Sequence, residues 1–188
     1  AAQWTAPWIW QQMQRMAILA KESVVLQTPY ITGNSTILTA FRQISEKSSF
    51  SVLTNSAAST PNFPAFSNYY SQRRKFVATG VQIYEYQSSH SIHGKAMVVD
   101  NRLGVIGSFN MDDRSMHLDT EIMLVVDCET FAGTLSEAIG TYQAQSLQVN
   151  SENDYIIPEG SQKASIPVFK TPLLRIVSIF SMALQPFI

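Results

Sequence analysis

Six short apolar runs constrain the fold of this chain most. Runs of four to six residues are typical of buried strands and are too short for buried helices. They cover residues 23–27, 50–53, 81–86, 96–99, 103–106 and 122–126. Between and beside these runs, apolar residues recur at helical spacing and predict four helices. The helices cover residues 7–21, a segment that begins at 33–34, a segment that ends near 79, and residues 129–147. Strands that alternate with helices and end in a hairpin cluster predict an α/β fold, a layered mixed sheet flanked by helices.

The length of 188 residues suits one domain, which we place at residues 1–149. Residues 150–167 are polar and contain Pro and Gly, so we predict a linker-like segment there. Residues 168–188 are predicted to form an apolar amphipathic helix, shorter than the ~20 residues needed to cross a bilayer. That helix would either dock on the domain or lie at a membrane surface.

The charge composition argues against nucleic acid as a partner. Only 14% of the residues are charged and the net charge is −1, so no global basic field would attract a polyanion. A local basic patch at Arg73, Arg74 and Lys75 stays possible. The single cysteine, Cys128, excludes an intrachain disulfide and follows an apolar run, which predicts a small core residue.

Six fixed positions form a motif that begins at His93. Lys95 follows two residues on, then Asp100, Gly107-Ser108 and Asn110, in the pattern H-x-K-x4-D-x6-G-S-x-N. In a strand, the side chains of His93 and Lys95 project to the same face, which pairs an acid, base or nucleophile with a fixed positive charge. Lys95 would neutralise a phosphodiester, and Asn110 and Ser108 would donate hydrogen bonds to its oxygens. This scheme requires no metal and no cofactor.

The motif resembles the HKD signature of the phospholipase D superfamily. Together with residues 26–30, 53–56 and 80–85, it is similar to the second half of bacterial cardiolipin synthases, over about residues 8–147. The resemblance implies a phospholipase D-like half-domain, a phospholipid substrate and a phosphohistidine mechanism. It also implies a bacterial protein held peripherally at the cytoplasmic side of the cell membrane.

The superfamily builds one site from two HKD motifs, whereas this chain has one. Neither His90 nor His117 is followed two residues on by Lys. The partner histidine would therefore come from a second HKD half or from another copy of the chain. His93 would act either as the nucleophile or as the general acid and base.

The resemblance extends to residues downstream of the motif. Asp100 would support the site without touching substrate, and Glu121 would accept a hydrogen bond from the Nδ1–H of a histidine. Asp119 stands where the family usually has Asn. Arg114 would pair with a carboxylate or a lipid phosphate. Residues 54–56 and, less strongly, 28–30 are candidates to line the cleft, because each segment ends a predicted strand.

Three functions follow from these residues. The leading hypothesis is an enzyme domain that cleaves a phosphodiester or transfers a phosphatidyl group. The second is a single-motif phosphodiesterase or nuclease that works as a homodimer. The third is a module that binds anionic phospholipid without turnover.

Overall fold

The computed structural model describes residues 6–166, which form one eight-stranded sheet with helices on both faces. The strands are β1 (Ser23–Gln27), β2 (Ser49–Asn55), β3 (Gln82–Tyr86), β4 (Ala96–Val99), β5 (Leu103–Gly107), β6 (Met123–Asp127), β7 (Ser146–Val149) and β8 (Tyr155–Ile156). The helices are α1 (Trp8–Ile18), α2 (Ser35–Ser45), α3 (Phe63–Val77), α4 (Asp113–His117) and α5 (Glu129–Gln143). The layered α/β prediction is confirmed.

The sheet is mixed, and its strand order is β6-β5-β4-β1-β2-β3-β7-β8. Strands β1, β2 and β3 are parallel, as expected where a helix connects each strand to the next. Strand β4 pairs antiparallel with β1, and β5 and β6 continue antiparallel from β4. The N-terminal end of β4 therefore lies beside the C-terminal ends of β1, β2 and β3.

Side chains of β4 alternate between two apolar cores. Met97 and Val99 face the larger core, which helices α1 to α4 cover, whereas Ala96 and Val98 face a smaller core under α5. The larger core is rich in aromatic side chains, including Phe41 at its centre. Burial on both faces explains why β4 reads as a continuous apolar run.

Asp100 connects the β4–β5 hairpin to the start of β1. Asp100 and Asn101 have φ values of 50° and 48°, as the central residues of a type I′ turn require. The Asp100 carboxylate accepts hydrogen bonds from the backbone N–H groups of Lys21, Glu22 and Ser23, at 2.8–3.2 Å. Desolvation alone would raise the pKa of Asp100, but these bonds lower it below its ordinary value.

Two sequence predictions about individual side chains are wrong. Cys128 is exposed, because it follows the edge strand β6 and precedes α5 instead of entering the core. Arg73 is buried at 3% exposure and pairs with the fully buried Glu85, so it does not contribute to a basic surface patch. The predicted helix over 129–147 ends at Gln143, and residues 146–149 form β7.

The sheet extends past residue 149 into the segment predicted to be linker-like. Strand β8 pairs with β7. The Tyr155 hydroxyl donates to the Glu85 carboxylate, which also accepts from Tyr69 at 2.7 Å and from Arg73 at 2.9 Å. Residues near 155 therefore complete a buried polar network. The predicted helix at 168–188 lies outside the described residues.

Between residues 6 and 166, no helix has both the length and the apolar character that crossing a bilayer requires.

We expect Asp100→Ala to lower the free energy of unfolding by about 1–2 kcal/mol, because three backbone donors lose their acceptor. Asp100→Asn should cost less, since its side-chain oxygen can still accept. The pKa of Asp100 is lowered by folding. Its stabilisation is therefore fully present above the unfolded value near ~3.9 and is lost as the pH falls through the lower folded-state value. Urea titrations of both variants at several pH values test this. Equal stability of wild type and Asp100→Ala at neutral pH would contradict it.

We expect Tyr155→Phe to cost about 2 kcal/mol, because the buried Glu85 carboxylate loses one of its three side-chain donors. Tyr84→Phe is the matched control: its hydroxyl makes a single exposed bond of 3.4 Å to Gln82, so its effect should stay within about 0.5 kcal/mol. Equal midpoints for the two variants in chemical denaturation would show that the hydrogen bond from Tyr155 to Glu85 does not stabilise the domain.

Candidate active site

All residues of the HKD motif except Asp100 meet at one end of the sheet. Lys95 immediately precedes β4, and Ser108 and Asn110 immediately follow β5, so the antiparallel pairing of the two strands brings them together. His93 lies in the loop before β4. This is also the end at which β1, β2 and β3 finish, where α/β proteins place their ligands.

The Lys95 ammonium is held near the backbone of the motif. Its Nζ donates a hydrogen bond of 2.8 Å to the carbonyl oxygen of His93. Desolvation lowers the pKa of Lys95, while the negative charges of Glu121 and Asp112 act in the opposite direction. The Lys95 ammonium is therefore held in position beside acidic groups that favour its charged form.

Glu121 links the two serines of the site. Its carboxylate accepts hydrogen bonds from the hydroxyl groups of Ser108 and, at 2.7 Å, of Ser115. The Ser108 hydroxyl also accepts from the backbone N–H of Ile122 at 3.0 Å. Within residues 6–166, Glu121 and His93 share no hydrogen bond; the histidine partner that we predicted for Glu121 stays a prediction.

Gly107 permits the close approach of the two segments that carry Ser108 and Glu121. A side chain at this position would collide with the backbone of Ile122 and with Met123 on β6. The glycine of the motif is thus required by packing between β5 and β6, not by a positive φ.

Asn110 presents an amide that the described residues satisfy only in part. Its Nδ2 donates to the Ser115 hydroxyl at 3.3 Å, and its buried Oδ1 has no partner among those residues. Rotation of the amide would exchange the two atoms, since their assignment rests on the hydrogen-bond network. The unpaired Oδ1 is an acceptor, so an anionic ligand would have to bind the Nδ2–H₂ of Asn110.

The His93 imidazole contacts the ring of Tyr30 edge to face, with ring centroids 6.3 Å apart and an interplanar angle of 73°. Burial, followed by the charge of Lys95, lowers the pKa of His93 below its ordinary value. The imidazole is therefore mainly neutral at neutral pH, which is the form that a nucleophile or a general base requires.

The two other candidate segments meet at this site as well. Asn55, at the end of β2, bonds both to Pro29 and to Ile92, and so connects the turn after β1 to the loop that carries His93. The predicted cleft-lining segments at 28–30 and 54–56 are thus joined next to the motif.

The remaining predicted residues lie elsewhere or have another partner. Asp100 is at the opposite end of β4 from Lys95 and contacts the backbone before β1. Arg114 pairs with Asp119 at 3.0 Å on the surface, so in this structure it contacts a carboxylate. His90 is exposed in its loop, with its Nδ1 3.2 Å from the Ser89 hydroxyl.

Sequence reasoning gave no role to Ser115 or Asp112, which are part of the site. Asp112 caps α4 by accepting from the N–H of Ser115 at 2.7 Å, and burial raises its pKa. The spacing of Asp112 and Ser115, three residues apart, is that of a helix N-cap and could have identified this pair.

Two hollows adjoin the site. One, of about 510 Å³, is lined by Gln27, Gly94 and Lys95 and by the apolar side chains of Ala96, Ile106, Ile122, Leu124 and Leu135. The other, of about 250 Å³, lies on the opposite face of the sheet and includes Ser115, Asp119 and Glu121 beside Trp8, Ile9, Phe109 and Met116. Both hollows are lined by polar and apolar residues together.

Curated relatives match part of this chain. A protein of Helicobacter pylori strain J99, described as uncharacterized, is 29% identical over 158 residues, which cover 77% of this chain and 32% of the relative. Cardiolipin synthase A of Yersinia pseudotuberculosis is 26% identical over 146 residues, 77% of this chain and 29% of the relative. The chain thus spans about a third of the length of the curated relatives it matches.

Solved structures share the fold. The phospholipase D family member Nuc from Salmonella typhimurium matches with a TM-score of 0.65 at 16% identity, over 75% of this chain and 90% of that one. Phosphatidylserine synthase from Haemophilus influenzae matches with a TM-score of 0.73 at 12% identity, over 96% of this chain and 45% of that one. At these identities the likeness concerns the fold alone.

A family model settles the relationship of the chain. The model, described as the PLD-like domain of cardiolipin synthase, matches residues 14–142, which include the whole HKD motif. With more than half of the chain matched, this chain belongs to the PLD-like domain family of the phospholipase D superfamily.

Proposed function

We propose that this chain supplies one half of an active site that cleaves or transfers a phosphodiester of a phospholipid. The observation that carries the proposal is the arrangement of Lys95, Asn110, Ser108 and Glu121 near His93, with Lys95 also lining a hollow whose walls are mostly apolar. The second catalytic histidine would come from another HKD half or from another subunit.

Two assignments of His93 fit its environment. As nucleophile, the neutral imidazole forms a bond to phosphorus while the bond from phosphorus to the leaving oxygen breaks, and the partner histidine gives that oxygen a proton. The partner then takes a proton from the incoming alcohol or water, which attacks phosphorus and releases the imidazole. In the reverse assignment, His93 moves these protons and the partner is the nucleophile.

The other residues of the cluster would bind the phosphoryl oxygens. Lys95 supplies a positive charge that is already oriented by its bond to the His93 carbonyl. Asn110 supplies the donor Nδ2–H₂, since its unpaired Oδ1 can only accept a hydrogen bond. Donors fixed before the reaction stabilise charge that develops in the transition state without having to reorganise.

A phospholipid fits the surroundings of this cluster better than a nucleic acid does. The hollow beside Lys95 joins a cation to apolar walls, a combination that suits a phosphate with its attached acyl chains. A net charge of −1 gives no general attraction for a polynucleotide. A phospholipid substrate implies contact with a membrane surface, and a peripheral location on the cytoplasmic side is part of the proposal.

The edge strand β6 supports a shared site. Three apolar side chains on β6 or next to it are exposed: Ile122 by 75%, Leu124 by 58% and Val125 by 47%. Apolar residues on an open sheet edge are usually covered. Glu121 directly precedes these residues. A second PLD-like half that covered this edge would bring its own residues next to Glu121 and Ser108.

Two alternatives keep specific support. A homodimeric phosphodiesterase or nuclease has the support of the fold that this chain shares with Nuc, a phospholipase D family member. A module that binds anionic phospholipid without turnover needs only Lys95 and Asn110. The intact His93 argues for chemistry over binding alone.

We expect His93→Ala to reduce phospholipid hydrolysis or transfer by at least about 100-fold in the assembled protein, because the group that attacks or moves protons is lost. Product formation from vesicles that contain anionic phospholipid is the measurement. His90→Ala is the matched control, since His90 is an exposed histidine three residues away, and it should keep activity within about twofold. An active His93→Ala variant would overturn the mechanism, and activity on single-stranded DNA alone would favour the nuclease.

We expect Leu124→Lys to weaken association through β6, because it places a charge in an apolar contact. Light scattering on this chain separates the two sources of a partner. A wild-type dimer that Leu124→Lys converts to a monomer supports a homodimer, whereas a wild-type monomer supports a second half elsewhere in a longer protein. Leu19→Lys is the control, because Leu19 is 76% exposed at the far end of α1. If both variants change the mass of a dimer equally, β6 is not the contact.

A further inference from the structure

One buried side chain connects three segments around His93. Asn55 is 1% exposed, although its carboxamide is polar. Its Oδ1 accepts from the backbone N–H of Ile92 at 2.9 Å, and its Nδ2 donates to the carbonyl oxygens of Ile92 at 3.0 Å and Pro29 at 3.2 Å. Both backbone groups of the residue before His93 are therefore bound by a single amide.

The carbonyl of Pro29 belongs to the turn that carries Tyr30. The Thr28 hydroxyl donates to the carbonyl of Tyr30 at 2.9 Å and accepts from the N–H of Met111 at 3.2 Å. The turn is thus fixed to the segment that follows Asn110. The Thr54 hydroxyl also donates to the Pro29 carbonyl at 3.3 Å, so the end of β2 holds this turn, and Asn55 adds the bonds to the loop before His93.

We propose that Asn55 is a positioning residue for His93, and that it acts by holding the imidazole against the edge of the Tyr30 ring. The contact between the two rings, at 6.3 Å and 73°, has the geometry that aromatic pairs favour. Tyr30 restricts the imidazole from one side, and Asn55 sets the distance between the two backbones. The catalytic part of the proposal rests on the proposed function, whereas the ring contact does not.

The location of Asn55 suits this role. It is the last residue of β2, the central one of the three parallel strands, so a rigid element carries the carboxamide. Both of the segments it binds are loops. A rigid strand that binds two loops through a buried amide holds catalytic geometry more closely than contacts between the loops would.

Nuclear magnetic resonance on the full chain tests the ring contact without any activity. We expect nuclear Overhauser effects between the ring protons of Tyr30 and His93 in the wild type, and their loss in Asn55→Ala. Thr79→Val is the control. It removes a buried hydroxyl between α3 and β3, at the end of the sheet where the parallel strands begin, and should keep the effects. Persistence of the effects in a folded Asn55→Ala variant would overturn the proposal.

If Asn55→Ala does not fold, a second pair of variants tests the contact between the Tyr30 ring and the His93 imidazole, through which Asn55 is proposed to act. Tyr30 is only partly buried, so Tyr30→Ala should fold. The titratable groups that bear on His93 are Lys95 and Tyr30, with Asp112 acting on Tyr30. Burial is the main cause of the lowered pKa of His93, so Tyr30→Ala should raise that pKa toward about 6.5. Tyr30→Phe keeps the ring and should titrate as the wild type does. An unchanged pKa in Tyr30→Ala, or a raised one in Tyr30→Phe, would refute a role for the ring.

Kinetics of the assembled enzyme test the catalytic consequence. We expect Asn55→Ala to lower kcat by about 10–100-fold with KM within about twofold, because misplacement of the imidazole affects the reaction more than substrate binding. A change in KM alone would contradict positioning. If the resonance results hold while wild type and variant are both inactive, the proposed function fails and the structural role of Asn55 stands.

Discussion

The antiparallel pairing of β4 with β1 is the constraint on which the site depends. Its register sets Gln27 opposite Ala96 and Val24 opposite Val99. Because β4 runs against its neighbours, its first residue lies where the three parallel strands end. The loop with His93 can then contact the turns after β1 and β2. If β4 ran parallel to β1, Lys95 would lie where the parallel strands begin, away from Asn55 and Tyr30.

Much of this arrangement could be predicted from the sequence. Buried strands such as β1 and β4 have continuous apolar runs, and the hairpin at Asn101 follows from its turn chemistry. The spacing of the motif predicted that His93, Lys95, Ser108 and Asn110 act together, and their catalytic roles stay a prediction. These features are local, so each depends on residues that are near one another in the chain. His93 and Lys95 both precede β4, so the strand alternation from which we inferred a shared face does not apply.

Features that depend on distant residues could not be predicted. Asp100 is part of the motif, but its partners are 77 to 79 residues away, and only the folded chain shows that it stabilises the hairpin. Tyr155 lies in a polar segment that resembles a linker, and its burial depends on Glu85, a charged residue at 0% exposure. The exposure of Cys128 depends on β6 being an edge strand, which composition does not reveal.

The open edge at β6 has a consequence for the chain during its synthesis. Among residues 6–166, β6 ends the sheet and presents apolar side chains on both faces, and an edge strand of this kind is a template for pairing with other chains. If the proposed second half covers this edge, the chain made without it exposes a strand that favours aggregation. Co-expression with such a half would then be the route to soluble material.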